Sequence, residues 1–178
     1  MTTHYLIGGS GIPNYGDELI ASAWVSYIEG KRPNDRIVLD VKNRKASMDI
    51  VRSGHNVTHV SSLKDVAHSK AATNVWENIR RGLSFIEKDG FRKYDNAAPL
   101  QAAMKDLATF HVFGGGYMND RWPAAAFYLG LGVAVKELTG AKLFASGLGL
   151  MPWTPPETDE EKELAARIAG AFDILEVR

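Results

Sequence analysis

Residues 4–17 read HYLIGGSGIPNYGD, and this stretch decides the fold. Residues 4–9 form an apolar run that passes straight into glycine, the pattern of a buried strand entering a tight turn. After the turn-rich loop at 10–16 the period changes. Leu19, Ile20, Ala23, Trp24, Tyr27 and Ile28 recur at helical spacing, which predicts a helix over 17–29. A strand, a glycine loop and an amphipathic helix in that order open a β-α-β unit.

The same rhythm continues along most of the chain. Strands are predicted at 36–41, 56–60, 109–113, 142–146 and 174–177. Between them a helix is expected at 46–53, ended by Gly54 as a C-cap, and another at 100–107. A third runs from Pro123 to Leu138 with Gly140 as C-cap, and an acid-led one spans 157–172. Residues 62–89 are helical in character but longer than a crossover needs. Trp76, Ile79, Leu83 and Ile86 make one apolar stripe there, so a helical excursion at the sheet edge is expected over about 62–98, broken at Gly82 or Gly90, with a loop at 91–99. The pattern predicts one α/β domain over 1–178, an open, mainly parallel, Rossmann-like sheet of about six strands with flanking helices.

Composition narrows the function classes. Lys plus Arg equals Asp plus Glu, 21 against 21, so no broad field advertises nucleic acid. The absence of cysteine removes disulfides, thiolate metal sites and cysteine nucleophiles together. The N-terminus lacks the basic region and long apolar region of a signal peptide. The longest apolar tract, 124–135, is interrupted by Tyr128, Gly130 and Gly132 and is too short to span a bilayer. A cytoplasmic protein without a transmembrane segment is expected, and a homo-oligomer is compatible with the sequence.

Three glycine loops follow predicted strands: Gly8-Gly9-Ser10-Gly11, Gly114-Gly115-Gly116 and Gly147-Leu148-Gly149. In a parallel sheet all three fall at the carboxyl edge, where ligands bind. Glycine there serves either a tight turn or close backbone approach to a ligand. The first loop is neither GxGxxG nor a phosphate loop, since Pro13 interrupts it and the third glycine is missing. Asp17 is expected to cap the following helix. Asn119-Asp120-Arg121-Trp122 follows the triple glycine closely enough to line the same cleft, with Asp120 either a sugar-hydroxyl acceptor or base, or a solvated loop carboxylate. No triad motif appears. No metal spacing appears among His4, His55, His59, His68 and His111; His55 and His59 are read on one strand face and all five as structural. No metal or cofactor is expected.

Taken in order, these motifs resemble those of the polysaccharide pyruvyl transferases. Asn14-Tyr15-Gly16-Asp17-Glu18 resembles that family's N-x-G-D loop, and Gly114-Gly115-Gly116 with Asp120 resembles its G-G-G segment. Residues 145–152, ASGLGLMP, are similar to its small-G-x-G-x-x-P stretch, and 173–178 to the strand leading into its "vR" motif. Pro13, Met151 and the helical stretch around Trp76 depart from the pattern.

The resemblance implies the N-terminal half of a two-domain GT-B enzyme that moves pyruvyl from phosphoenolpyruvate onto two sugar hydroxyls as a ketal, in cell-wall or exopolysaccharide synthesis. It implies substrate contacts from Gly9, Ser10, Asn14, Gly16, Asp17, Gly114, Gly115, Gly116, Asn119, Asp120, Gly147 and Gly149. Arg178 matches the family's arginine for the phosphate or carboxylate of phosphoenolpyruvate. The partners implied are phosphoenolpyruvate, a sugar or polysaccharide precursor, and a C-terminal domain that supplies a His, basic residues and the catalytic acid. The chain stops at Arg178 inside an apolar strand, which is read as a cut or a cleavage, and alone it is not expected to be catalytic. Two other readings stay open: half of a GT-B glycosyltransferase using a nucleotide sugar, and a binding or scaffold module whose glycines serve folding only.

Overall fold

The computed structural model describes residues 1–12, 14–51, 54–87 and 90–178. Six strands, β1 (Thr3–Gly8), β2 (Arg36–Asp40), β3 (Val57–Val60), β4 (Leu107–Phe113), β5 (Lys142–Leu148) and β6 (Ile174–Val177), form one sheet in the order β3-β2-β1-β4-β5-β6. Every pairing is parallel. This is the Rossmann-like open sheet expected from the alternating pattern. β1 pairs with β2 on one side and β4 on the other, so the strand order reverses between β1 and β4. A sheet of this kind opens a crevice at that reversal, outside the strand ends.

Parallel strands covered on both faces must be apolar in both directions, and β1 is: Tyr5, Leu6 and Ile7 are all buried. Leu6 joins Ala21, Val25 and Ile28 of α1 (Tyr15–Lys31) in a smaller core with Leu39 and Phe113. Tyr5 and Ile7 face the larger core on the opposite side, where the Tyr5 ring stacks on Phe110 at 5.5 Å. Each fully buried Leu, Ile or Phe contributes about 1.5–3 kcal/mol. These two apolar layers hold the strand ends in place.

The helices depart from expectation in informative ways. α1 starts at Tyr15, two residues early, because Asn14 takes the capping role instead of Asp17; its backbone is extended and its side chain accepts from Gly16 N–H. α2 (Arg44–Ile50) ends at the cap residue Val51, so Gly54 is not its C-cap; Gly54 N–H instead donates to Glu29. The end expected at Ser53 and the break involving Pro13 fall outside the described residues.

The long stretch from Ser62 is two helices, α3 (Leu63–His68) and α4 (Val75–Leu83), separated by a turn in which Lys70 has φ 56°. Asn74 caps α4 by accepting from Glu77 N–H. α4 ends at Leu83, one residue past the break expected at Gly82, and the Asp89 end of the expected helix lies outside the described residues. The loop expected at 91–99 contains a short helix, α5 (Gly90–Lys93), and a 3-10 turn at Asp95–Ala97. α6 (Ala98–Ala103) is shorter than expected, since Leu107 already belongs to β4.

α7 (Phe127–Thr139) follows a 3-10 turn that Pro123 opens, and left-handed Gly140 ends it as read from the sequence. α8 (Asp159–Ala171) begins with a capping box between Thr158 and Glu161. α4 and α7 cross at a close approach that only glycine permits. A Cβ on Gly82 would collide with the Phe127 carbonyl oxygen, and one on Gly130 with that of Ile79. No helix among the described residues is long and apolar enough to cross a membrane.

Candidate functional site

The loops after β4 and β5 are joined by hydrogen bonds, and the loop after β1 approaches them through Gly9, which lies beside Asp17 and Tyr117. Gly114 N–H donates to Ser146 O at 2.7 Å, and Gly149 N–H to Gly115 O at 3.0 Å. Arg178 N–H extends the β6 pairing by donating to Leu148 O at 2.9 Å. Gly114, Gly115 and Gly147 have φ of 62°, 87° and 64°, so the turns themselves require these glycines. Gly116 differs. It lies outside the left-handed region, nothing would touch a Cβ there, and it lines the cleft described below.

Asp17 stands between the first two loops. Its carboxylate would lie 2.8 Å from a Cβ on Gly9 and 3.2 Å from one on Gly115. It accepts from Asn14 Nδ2 at 3.0 Å. Partial burial raises its pKa; the nearby positive charge of Arg178 opposes the rise and Glu18 adds to it. Asn14, Asp17, Gly9 and Gly116 all line one cleft.

The other expected residues serve the loops. Ser10 is buried, with its hydroxyl donating to Glu18 Oε2 at 2.6 Å, while Gly11 N–H donates to Glu18 Oε1 at 2.6 Å. A polar chain continues from Ser10 to Ser47 at 3.2 Å and from Ser47 to His59 at 3.1 Å. The first loop thus spends its own donors on an internal carboxylate. Gly16 sits exposed in the first turn of α1. Asn119 donates to the carbonyls of Gly116 and Met151 and accepts from Arg121 N–H. Asp120 accepts from Thr154 Oγ1 at 2.9 Å. These two tie the second loop to the third and are absent from the cleft wall.

A cleft of about 360 Å³ opens beside this junction. Its floor is Ile7, Gly8 and Gly9 at the end of β1, with Ile12, Asn14 and Asp17 from the loop and first turn of α1. Gly116, Tyr117, Trp122, Ala125 and Tyr128 form the side toward β4. Asp40, Val41, Lys42, Lys64 and His68 form the side toward β2 and β3.

Asp40 is the site residue that sequence reasoning missed most plainly. It accepts from Tyr5 Oη at 2.6 Å, Ser62 N–H at 2.9 Å and Leu63 N–H at 3.1 Å. Burial outweighs these donors and pushes its pKa up to about 6. The available signal was its position, a carboxylate at the carboxyl end of the second strand in a sheet of this topology. With its oxygens taken up by Tyr5 and the start of α3, Asp40 is poorly disposed to receive a ribose.

His111 and His4 are engaged by the fold, whereas His68 lines the cleft. His111 is buried, bonds to Ser146 Oγ at 2.8 Å and packs edge-on against Trp24 at 4.4 Å; burial lowers its pKa to about 4. His4 bonds to Thr109 at 2.9 Å. His55 lies in the turn before β3, so it does not share a strand face with His59 as expected. Among the described residues no group of three His, Asp or Glu side chains is placed to hold a metal ion.

With that geometry in view, comparison with known proteins adds no name: no protein-family model matches the chain, and no curated protein matches it.

Proposed function

We propose that this chain forms the N-terminal wall of a transferase resembling the polysaccharide pyruvyl transferases, with phosphoenolpyruvate as donor and sugar hydroxyls as acceptor. The observation that carries this reading is a cleft at the strand-order reversal lined by Gly9, Asn14, Asp17 and Gly116, with the third glycine loop bonded to Gly115 O and the Arg178 charge acting on Asp17. The ordered motif resemblance supplies the chemistry. In that reaction the enol methylene gains a proton, two sugar oxygens bond to the former enol carbon, and phosphate leaves with its bridging oxygen. The two hydroxyl protons balance the proton taken up by carbon and the one carried off by phosphate.

In this reading the Arg178 guanidinium pairs with the donor's carboxylate or phosphate, for which its forked geometry is suited. The Asp17 carboxylate accepts from a sugar hydroxyl. Gly116 leaves room for the donor against backbone. A C-terminal domain supplies the acid for the methylene carbon and further cations for the departing phosphate, as the resemblance implies.

The rival using a nucleotide sugar draws on the same sheet topology, so the two are separated by ligand competition. A fluorescence or thermal-shift titration of the protein encoded by the whole reading frame should show saturable stabilisation by phosphoenolpyruvate that uridine and guanosine diphosphates do not displace. Displacement by a nucleotide diphosphate, with no response to phosphoenolpyruvate, would replace this reading with the glycosyltransferase one. No response to any small anion or sugar would favour a scaffold module.

A further inference from the structure

Three features of the cleft play no part in the fold's own hydrogen bonding. The first is Tyr128, whose side chain lines the cavity although the residue is only 6% exposed. Its hydroxyl makes no hydrogen bond among the described residues, whereas Tyr5 and Tyr117 donate to Asp40 and Phe113 O. The hydroxyl is reachable from the cavity, since no side-chain polar atom among the described residues is both buried and unpartnered, and it is therefore free to bond a group that enters there.

The second is a pair of ammonium groups. Lys42 follows β2 and Lys64 lies in the first turn of α3, and both line the same side of the cleft. Neither has an ion pair among the described residues. Lys64 is partly buried, and its pKa is lowered first by that burial and then by the charge of Lys42, with the Asp65 carboxylate opposing the shift. Two like charges brought together with no carboxylate in ion-pair contact are relieved by an anion between them. His68, one turn further along α3, stands beside them.

The third is Trp122, 55% exposed on the opposite side of the cavity. An exposed indole facing a cleft with hydroxyl acceptors offers a flat apolar platform beside polar groups. That combination suits the face and edge of a sugar ring. The negative groups in the wall are compatible with this arrangement: Asp40 is engaged by its three donors, and Asp17 lies toward α1 rather than beside the lysines.

We propose that this cleft holds a phosphorylated sugar, its phosphate between Lys42 and Lys64, its ring against Trp122 and one hydroxyl on Tyr128. The volume, near the lower end of the roughly 300–1,000 Å³ of small-molecule sites, suits one hexose phosphate rather than a dinucleotide. The identification of this ligand as the acceptor rests on the transferase reading; the binding itself does not. In that frame the sugar's free edge points toward Asp17 and Gly116, where the donor would lie.

The test is isothermal titration of this chain with the 1-phosphates of glucose, galactose and mannose, alongside inorganic phosphate, the free hexoses and a nucleotide diphosphosugar. At least one hexose phosphate should bind about tenfold or more tightly than inorganic phosphate and the free hexose. The double variant Lys42→Gln/Lys64→Gln should weaken it by at least about tenfold with an unchanged Tm. Tyr128→Phe should weaken it about three- to tenfold, again without loss of stability, as expected for one hydrogen bond. Trp122 is the most exposed tryptophan, so the hexose phosphate should change the protein's tryptophan fluorescence in a parallel titration, and Trp122→Phe should abolish most of that change.

Tighter binding of the diphosphosugar, with the same dependence on the lysines, supports the site and names a nucleotide-linked source. Tighter binding of the free hexose phosphate supports the site and names the unlinked source. Absence of binding up to about 10 mM overturns the proposal, as does equal affinity in the lysine variant or equal binding of inorganic phosphate. Displacement of the hexose phosphate by phosphoenolpyruvate at equal affinity also overturns it, while leaving the transferase reading intact. Lysine-dependent sugar phosphate binding in a protein that never consumes phosphoenolpyruvate would end the transferase reading and leave this site standing.

Discussion

Replacing Glu18 with alanine tests how the first glycine loop is held. Glu18 is 5% exposed and receives two donors at 2.6 Å, the Ser10 hydroxyl and Gly11 N–H. Hydrogen bonds to a charged group contribute about 1.5–3 kcal/mol each, and an anion in the first turn of a helix adds about 0.3–1 kcal/mol. Ser10 retains Ser47 as an alternative partner, which places its share at the lower end. Together these give a loss of about 3–5 kcal/mol, or roughly 6–20 °C in Tm for a domain of this size. Glu18→Gln keeps one acceptor for Gly11 N–H and should lose only about 1–2 kcal/mol. Urea unfolding at pH 7 reads both variants as a shift in midpoint at constant slope. A loss below about 1 kcal/mol for alanine, or equal losses for alanine and glutamine, would refute the claim that this carboxylate anchors the loop.

Other substitutions separate fold from site. Gly130→Ala should destabilise by about 1–3 kcal/mol or more, because the Ile79 carbonyl cannot move away cheaply; a neutral result in urea would contradict the close helix crossing. Gly116→Ala meets no neighbour, so it should leave Tm unchanged while weakening binding of the donor, and equal ligand affinity would remove this residue from the site. Asn14→Ala should cost about 1 kcal/mol as a lost cap and, together with Asp17→Ala, lower transferase activity; unchanged kinetics in a folded double variant would remove both residues from the site. Asp40 and His111 should act oppositely on acid stability. Asp40 has its folded pKa raised to about 6, so its contribution is full below about pH 4 and is lost as pH rises through 6. His111 has its folded pKa lowered to about 4, so its contribution is present above about pH 6.5 and is lost as pH falls through 4. Each is worth about 3 kcal/mol, and between pH 4 and 6 they largely cancel. Asp40→Asn should therefore steepen the loss of stability on acidification, and His111→Gln should reverse it; parallel profiles for the two variants would contradict both assignments.

The strands were legible because β-branched and aromatic runs bounded by glycine leave little ambiguity. The predicted strand at 174–177 matches β6 residue for residue, and the three glycine loops did fall on one edge. The region after Ser62 was not legible, since the stripe through Trp76, Ile79 and Leu83 gives the period of a helix but does not locate its start. Asn74 capping and the turn at Lys70 set that start. Asp17 was read as the cap and Asn14 was passed over, because both residue types cap well and they stand three positions apart. The cleft was least legible of all. Lys42, Lys64 and Tyr128 lie in three separate segments of the chain, and the strand order brings them to one cavity. Asp40 reads locally as the end of a strand; its burial depends on Tyr5, 35 positions earlier, and on the start of α3.

The most direct measurement is carbon-13 NMR of phosphoenolpyruvate labelled at its enol carbon, incubated with a hexose acceptor and the protein encoded by the whole reading frame. The account predicts that the vinyl signal gives way to a ketal carbon bonded to two sugar oxygens, with phosphate released in equal amount and the conversion lost in the Asn14→Ala/Asp17→Ala variant. An unchanged vinyl signal with a panel of hexoses and hexose phosphates, in a protein that instead transfers sugar from a nucleotide donor, would contradict it.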